Sequence, residues 1–130
     1  MSRYKMSTGS YVKKHKIDDL VSQAKKQLRL NAAQDGMSFC WASGRTDEPL
    51  DCSHIISVKR CQELGKSELS WDLNNIQLES RTSHMQWESW EANIDKVKSH
   101  DNIDCKLSFI KEHDEESYHR FQSLLGLDTE

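Results

Sequence analysis

The chain has 130 residues, of which 35% are hydrophobic and 30% are charged, and its formal net charge is −3. This composition, without low-complexity runs, predicts one folded domain with a modest hydrophobic core. No segment approaches the roughly 18 consecutive apolar residues of a membrane span. The N-terminus lacks the apolar stretch of a signal peptide, so we expect a cytoplasmic protein with no membrane partner.

Positive charge is concentrated at the N-terminus. Residues 1–30 contain eight Lys or Arg against Asp18 and Asp19, a net charge of +6, and residues 31–130 have a net charge of −9. A protein that binds nucleic-acid phosphates through a basic arm would show this division. A solubilising tail beside an ordinary charged surface is the simpler explanation when charge is considered alone.

The first predicted elements are an arm and a helix. Residues 1–16 predict a flexible basic arm. Apolar residues then recur at helical spacing over residues 17–35, which predicts a helix. We expect Asp18 and Asp19 in its first turn and Gly36 directly after its end, as helix termini prefer.

The rest of the chain predicts short strands followed by helices. The expected elements are turns over residues 37–49, a strand over 50–57, a polar segment with a turn at Gly65 over 60–70, a strand over 75–78, a helix over 80–98 and one or two helices over 103–127. The order strand, loop, strand, helix predicts a ββα unit. We therefore expect an α+β fold, with this unit flanked by an N-terminal helix and C-terminal helices.

The cysteines do not form a recognisable metal or disulfide framework. They are irregularly spaced and contain no CxxC pair, and they are Cys40, Cys52, Cys61 and Cys105. In a reducing compartment such cysteines are expected to be free thiols.

Three polar residues of the ββα unit have side chains suited to phosphodiester hydrolysis. His54 lies in the first predicted strand, Asn75 begins the second, and His84 comes nine residues later, early in the helix. An imidazole accepts a proton near neutral pH, because its unperturbed pKa is about 6.5. An amide can hold the neighbouring loop or the ring. A lone His in a strand is usually structural or solvated, and it is the joint occurrence in this unit that favours a site.

A cation near the leaving oxygen is the second requirement of the reaction. Glu88 follows His84 by four residues, and positions i and i+4 share a face of a helix. The two side chains can therefore bind one ion. A mixed imidazole and carboxylate set fits Mn²⁺, Ni²⁺, Co²⁺ or Zn²⁺ better than Mg²⁺.

Two segments resemble the motif of the HNH endonucleases, also called ββα-metal or His-Me finger nucleases. The segment Asn75–Leu78, which reads Asn-Ile-Gln-Leu, together with His84 resembles the second half of the motif. His54, which two isoleucines follow, resembles its first half. The resemblance covers about residues 40–90 and is nearest to the small phage-encoded HNH nucleases.

This resemblance implies a metal-dependent endonuclease that hydrolyses phosphodiester bonds in DNA, by nicking or by double-strand cutting. It makes His54 the general base, Asn75 the orienting residue and His84 a metal ligand. One divalent ion (Mg²⁺, Mn²⁺, Ni²⁺ or Zn²⁺) is the expected cofactor. The further candidate ligands are Asp51, Ser53 and Glu88.

Two departures from the family pattern concern metal binding. Ser53 stands before the base, where the family usually has Asp or His; Asp51, on the same strand face, can substitute directly or through water. Many HNH proteins also bind a structural zinc through two CxxC pairs, which here read Cys-Trp-Ala-Ser over residues 40–43 and Ser-Arg-Thr-Ser over residues 80–83. Hydroxyls do not replace thiolates on structural zinc, so we expect no such zinc.

The resemblance also implies a partner and a domain organisation. We expect DNA as the partner, a host-cytoplasmic location if the protein is phage-encoded, and either a monomer or a homodimer. The basic arm would precede a single nuclease domain over residues 17–130, with the finger at about 40–98. Phosphate contacts are expected from basic side chains of the N-terminal region and the finger: Lys13, Lys14, Lys16, Lys25, Lys26, Arg29, Lys59 and Arg60.

Two other interpretations remain open. The first is a non-catalytic DNA-binding or inhibitory protein that keeps the finger and has lost its ion; Ser53 and the missing thiols favour it, whereas the retained histidines and Asn75 oppose it. The second is a zinc-binding interaction module that uses cysteines and a histidine. Its first three cysteines are separated by twelve and nine residues, unlike the close ligand pairs of structural zinc sites.

Overall fold

A computed structural model of the protein describes residues 2–126. The architecture is α+β, with two small antiparallel sheets of two strands each and several helices. The chain divides into two compact units: the first is the chain up to Ser38 together with Cys52–Leu78, and the second is Phe39–Asp51 together with the chain from Glu79 onwards. None of the helices in residues 2–126 combines the length and the apolar character that a membrane crossing requires.

A hairpin begins the first unit. Strands β1 (Arg3–Lys5) and β2 (Tyr11–Lys13) pair antiparallel, and the central Val12 of β2 is buried. The connecting loop contains Gly9 at a φ of +92°, a conformation that glycine adopts without steric cost. The segment 1–16, expected as a flexible arm, therefore contains a hairpin and the start of a helix within its described residues. Burial of Val12 gives these short strands an apolar contact that a solvated arm would lack.

Helix α1 (Lys14–Gln34) follows β2 without a loop. It starts three residues before the predicted position, so Asp18 and Asp19 lie beyond its first turn, in which no acidic residue lies. The end of the helix is as predicted, because Gly36 comes shortly after it with a φ of +67°. Its apolar stripe is buried, at Ile17, Ala24, Leu28 and Ala32.

The segment expected to be only a polar excursion contains regular turns. Helix α2 (Val58–Glu63) begins after Ser57, whose side chain caps it. The predicted turn is present, with Gly65 at a φ of +70°. Two short 3-10 turns follow, Ser67–Trp71 and Leu73–Asn75, and the first of them packs against α1 and α2.

The second sheet contains strands β3 (Leu50–His54) and β4 (Ile76–Ser80). Strand β3 ends three residues before the predicted position, and β4 is shifted towards the C-terminus by one to two residues. All five residues of β4 are buried. His54 is therefore the last residue of its strand, and Asn75 lies immediately before the next one.

The helices of the second unit follow the predicted order with additional breaks. Helix α3 (Arg81–Glu88) directly continues β4 and is followed by the short helix α4 (Ile94–Val97), so the predicted helix over residues 80–98 is divided. Helices α5 (Ile103–His113) and α6 (Glu115–Leu125) occupy the C-terminal region. Residue 127, the predicted end of that region, lies outside the described residues.

Aromatic rings form the core between α3 and α6. Trp87 of α3 is 2% exposed and Phe121 of α6 is fully buried. Their ring centroids are 6.1 Å apart, and Trp90 lies 5.1 Å from Phe121. Such contacts fix α3 in the second unit, and α3 carries His84.

Candidate active site

His54 is held by its ring nitrogen. Its Nε2 atom lies 2.8 Å from the carbonyl oxygen of Ser70. A carbonyl oxygen only accepts hydrogen bonds, so Nε2 carries the proton and Nδ1 carries the lone pair. The half-buried ring is therefore fixed in the tautomer that has its proton on Nε2.

Asn75 is fully buried, and its amide holds the backbone on both sides of this contact. Its Oδ1 accepts a hydrogen bond from the N–H of Ile56 at 2.7 Å, and its Nδ2 donates to the Ile56 carbonyl at 2.9 Å. The same Nδ2 donates to the Leu69 carbonyl at 2.9 Å. Ile56 follows His54 by two residues and Leu69 precedes Ser70. Of the two roles expected for Asn75, the structure shows the amide holding the loop.

In the second unit, His84 contacts a carboxylate. The Nδ1 atom of His84 lies 3.0 Å from Oδ2 of Asp51. Arg81 binds both oxygens of the same carboxylate, with Nε donating to Oδ2 at 2.8 Å and a terminal nitrogen donating to Oδ1 at 3.1 Å. Hydrogen bonding from Arg81, with a smaller contribution from His84, lowers the pKa of Asp51 below its ordinary value. Asp51 is thus ionised near neutral pH and fixes the orientation of the His84 ring.

The second nitrogen of the His84 ring, Nε2, lies near another carboxylate. Because an ionised carboxylate only accepts, Nδ1 carries the proton and Nε2 carries the lone pair. Nε2 lies 3.7 Å from Oε2 of Glu88, one turn along α3. A cation bonded at about 2.1 Å from each atom fits this separation, so the two side chains can supply two protein ligands.

The expected metal ligands are only partly brought together. Within residues 2–126, no group of three or more His, Cys, Asp or Glu side chains is arranged to hold an ion. Asp51 contacts Nδ1 of His84, on the ring edge opposite Nε2, and so orients the ring, as carboxylates beside metal-binding histidines do. Ser53 is 1% exposed, and its hydroxyl has no hydrogen-bond partner among the described residues. Two protein donors, one imidazole nitrogen and one carboxylate oxygen, suit a weakly held ion that keeps water ligands, such as Mn²⁺.

All eight basic residues expected to contact phosphate lie in the first unit. That unit contains eleven Lys or Arg and six Asp or Glu, a net charge of +5, whereas the remaining sequence contains seven and fifteen, a net charge of −8. Lys14 pairs with Asp18 at 3.1 Å and Arg60 with Glu63 at 3.3 Å. The charge separation is thus a property of the units, as well as of the two ends of the sequence.

The positions compared above with the zinc-binding cysteines of many HNH proteins, which are Cys40, Ser43, Ser80 and Ser83, form a hydrogen-bonded cluster. Cys40 is fully buried, and its Sγ lies 3.6 Å from the hydroxyl of Ser83. The hydroxyls of Ser80 and Ser83 are 3.2 Å apart. Burial alone would raise the pKa of Cys40, but hydrogen bonds from Ser43, Ser80 and Ser83 outweigh it and bring the pKa to about 7.

Sequence reasoning missed two contributors. Arg81 is three residues before His84 on α3, and this spacing could have placed it on the same helix face. The Ser70 carbonyl could not have been found, because a backbone acceptor has no side-chain signature. Comparison of the chain with protein-family models, with curated proteins and with solved structures finds no match.

Proposed function

We propose that the protein is a metal-dependent HNH-type endonuclease that hydrolyses phosphodiester bonds in DNA, with β3, β4 and α3 as a ββα-metal finger. The observation that carries the proposal is the fixed ring of His54, with Nε2 bonded to the Ser70 carbonyl at 2.8 Å. Asn75 bonds to the backbone beside both partners of this contact. A base that must accept a proton in a defined direction requires such fixing.

Each residue has a separate task in this mechanism. His54 takes the proton of the attacking water on Nδ1, and Asn75 is a positioning residue that keeps the ring aligned. His84 and Glu88 would hold the divalent ion, while Asp51 orients the His84 ring. When bound, such an ion stabilises the charge that develops on the phosphate and the leaving oxygen.

The test of the base is the His54→Ala variant in a plasmid-cleavage assay with Mn²⁺ or Mg²⁺. General bases contribute about 10²- to 10⁴-fold, so we expect cutting to fall by at least about 100-fold while DNA binding is unchanged. The matched control is His15→Ala, which removes an exposed imidazole from α1 and should cut like the wild type. Undiminished nicking by the His54 variant would refute the assignment.

A second candidate function is a non-catalytic DNA-binding or inhibitory protein with the same finger. It is favoured by the absence, within residues 2–126, of a group of three metal-ligating side chains, and by the burial of Ser53. Calorimetric titration separates the two candidates. Heat of binding at millimolar Mn²⁺, Ni²⁺ or Mg²⁺ that is lost in His84→Ala supports the nuclease, whereas no binding of any of these ions supports the second candidate.

A further inference from the structure

One face of the N-terminal hairpin consists of three cations and a tyrosine. Arg3 lies opposite Lys13, and Lys5 lies opposite Tyr11. All four residues are exposed, and Tyr11 is 61% exposed. Opposite residues and alternate residues of paired strands project to the same side, so the four side chains share one face and the buried Val12 lies on the other.

This face is unfavourable for the folding of the hairpin itself. Like charges directly opposite one another, as in the pair Arg3 and Lys13, destabilise a sheet. Among the residues that the structure describes, no acidic side chain forms an ion pair with Arg3, Lys5 or Lys13. A polyanion bound to this face would offset the repulsion between Arg3 and Lys13.

The hairpin is nevertheless held in a defined position on the first unit. The N–H of Ser7, in the loop, donates to Oε1 of Glu68 at 3.1 Å, and the Ser7 hydroxyl donates to the other oxygen. The stem of Lys5 passes beside Gly65. The four side chains are therefore presented by an ordered surface, so that binding would not require the ordering of a loose arm.

We propose that this surface, the basic ribbon of Arg3, Lys5, Tyr11 and Lys13, binds the sugar–phosphate backbone of double-stranded DNA. A two-stranded ribbon fits the major groove, which is about 12 Å wide. Cations two residues apart on a strand are separated by about 6.6 Å, close to two base-pair rises of about 3.4 Å. The phenol of Tyr11 adds a flat surface and a hydroxyl that suit deoxyribose and phosphate.

This inference deepens the proposed function, since it rests on DNA as the substrate, and it adds Arg3, Lys5 and Tyr11 to the expected contacts. The rival occupant is the acidic part of a second copy of the chain. The two cations of β1 and the exposed ring of Tyr11 favour the nucleic acid, because the separation of Arg3 and Lys5 along the strand matches the spacing of phosphates.

The experiment measures binding of the full-length protein to a short fluorescent DNA duplex by anisotropy, with EDTA present to prevent hydrolysis. The variant Arg3→Gln, Lys5→Gln, Lys13→Gln removes the charges of the ribbon. Its matched control removes three exposed lysines of the second unit, through Lys96→Gln, Lys98→Gln and Lys111→Gln. Circular dichroism verifies that both variants are folded.

Each phosphate contact contributes about 0.9 to the slope of log Kd against log salt, so the ribbon variant should lose about 2 to 3 in slope between about 50 and 200 mM salt. Its affinity at the lower salt should fall at least about tenfold. Tyr11→Ala should weaken binding without a change in slope, since the phenol is uncharged. The control should bind like the wild type.

An unchanged slope in the ribbon variant, or an equal loss in the control, would overturn the inference. Analytical ultracentrifugation tests the rival occupant. If the wild type is a dimer and the ribbon variant is a monomer that still binds DNA, the surface belongs to a second copy and the inference is overturned. Plasmid cleavage with Mn²⁺ is measured in parallel. If the ribbon variant loses DNA binding but the wild type cleaves no DNA, the ribbon is supported and the nuclease is rejected. If the wild type cleaves DNA and the ribbon variant binds it equally well, the nuclease is supported and the ribbon is rejected.

Discussion

Replacement of Asn75 by alanine tests the structural basis of the base assignment. The variant leaves the N–H of Ile56 without its acceptor. It also removes one donor from each of the Ile56 and Leu69 carbonyls, which keep the Cys61 thiol at 3.6 Å and the Asp72 N–H at 3.2 Å. A buried polar group without a partner costs about 1–3 kcal/mol. The unpaired N–H, together with two lost bonds of about 0.5–1.5 kcal/mol each, predicts a loss of at least about 2 kcal/mol, a substantial part of the roughly 5–15 kcal/mol that stabilises a domain.

The free energy of unfolding is measured by urea denaturation, followed by tryptophan fluorescence and far-ultraviolet circular dichroism. The neighbouring Asn74→Ala is the matched control, because Asn74 is exposed, and it should stay within about 0.5 kcal/mol of the wild type. Asn75→Asp separates hydrogen bonding from side-chain size, since it keeps the size and the acceptor but loses the two donated bonds.

The same variants distinguish a positioning residue from a purely structural one. Under conditions in which Asn75→Ala is still folded, DNA cleavage should fall mainly in kcat, because the His54 ring is no longer aligned, while KM changes little. A loss of less than about 1 kcal/mol in Asn75→Ala would refute the hydrogen-bond reasoning. Full kcat in the folded variant would refute the positioning role.

Two further predictions concern buried ionisable groups of the second unit. Lys106 and Glu79 are fully buried, with Nζ and Oε2 2.5 Å apart, so Lys106→Met should leave an uncompensated carboxylate and cost about 3–5 kcal/mol in urea denaturation. The exposed Lys111→Met should change little, and an equal loss in both variants would contradict the ion-pair reasoning. Cys40 has its pKa lowered from 9.0 to about 7 in the folded state. Its contribution to stability is therefore absent below about pH 7, grows as the pH rises and is complete above about 9, up to about 2–3 kcal/mol. The difference in free energy of unfolding between the wild type and Cys40→Ala, measured across this pH range, should show that rise. A difference that does not change with pH would exclude the lowered pKa.

Local patterns in the sequence predicted those elements that local forces determine. The α+β class and the end of α1 before Gly36 are confirmed, because helical periodicity and a glycine at positive φ are encoded in adjacent residues. The hairpin of β1 and β2 was not predicted. Three residues per strand give too little alternation to detect, and Val12 is the one buried residue of the two strands.

The environment of the candidate site depended on contacts between distant residues. The order of His54, Asn75 and His84 is visible in the sequence, but the Ser70 carbonyl that fixes His54 is not. The pairing of Arg81 with Asp51 joins residues 30 positions apart. No composition or spacing rule indicates such a pairing, because it depends on how the tertiary fold returns a helix to a strand.

The interleaved layout of the two units has a consequence for dissecting the protein. The first unit needs Cys52–Leu78 in addition to the N-terminal segment, and the second needs Phe39–Asp51 in addition to the C-terminal segment. The chain therefore passes between the units three times, and any truncation that keeps one unit whole also keeps a piece of the other. During synthesis, the segment 39–51 emerges before the rest of its own unit, which begins at Glu79, has been translated. It can pack into that unit only after the residues of the first unit have been synthesised. Deletion series are therefore uninformative here, and circular permutation or point substitution is the better way to separate the roles of the two halves.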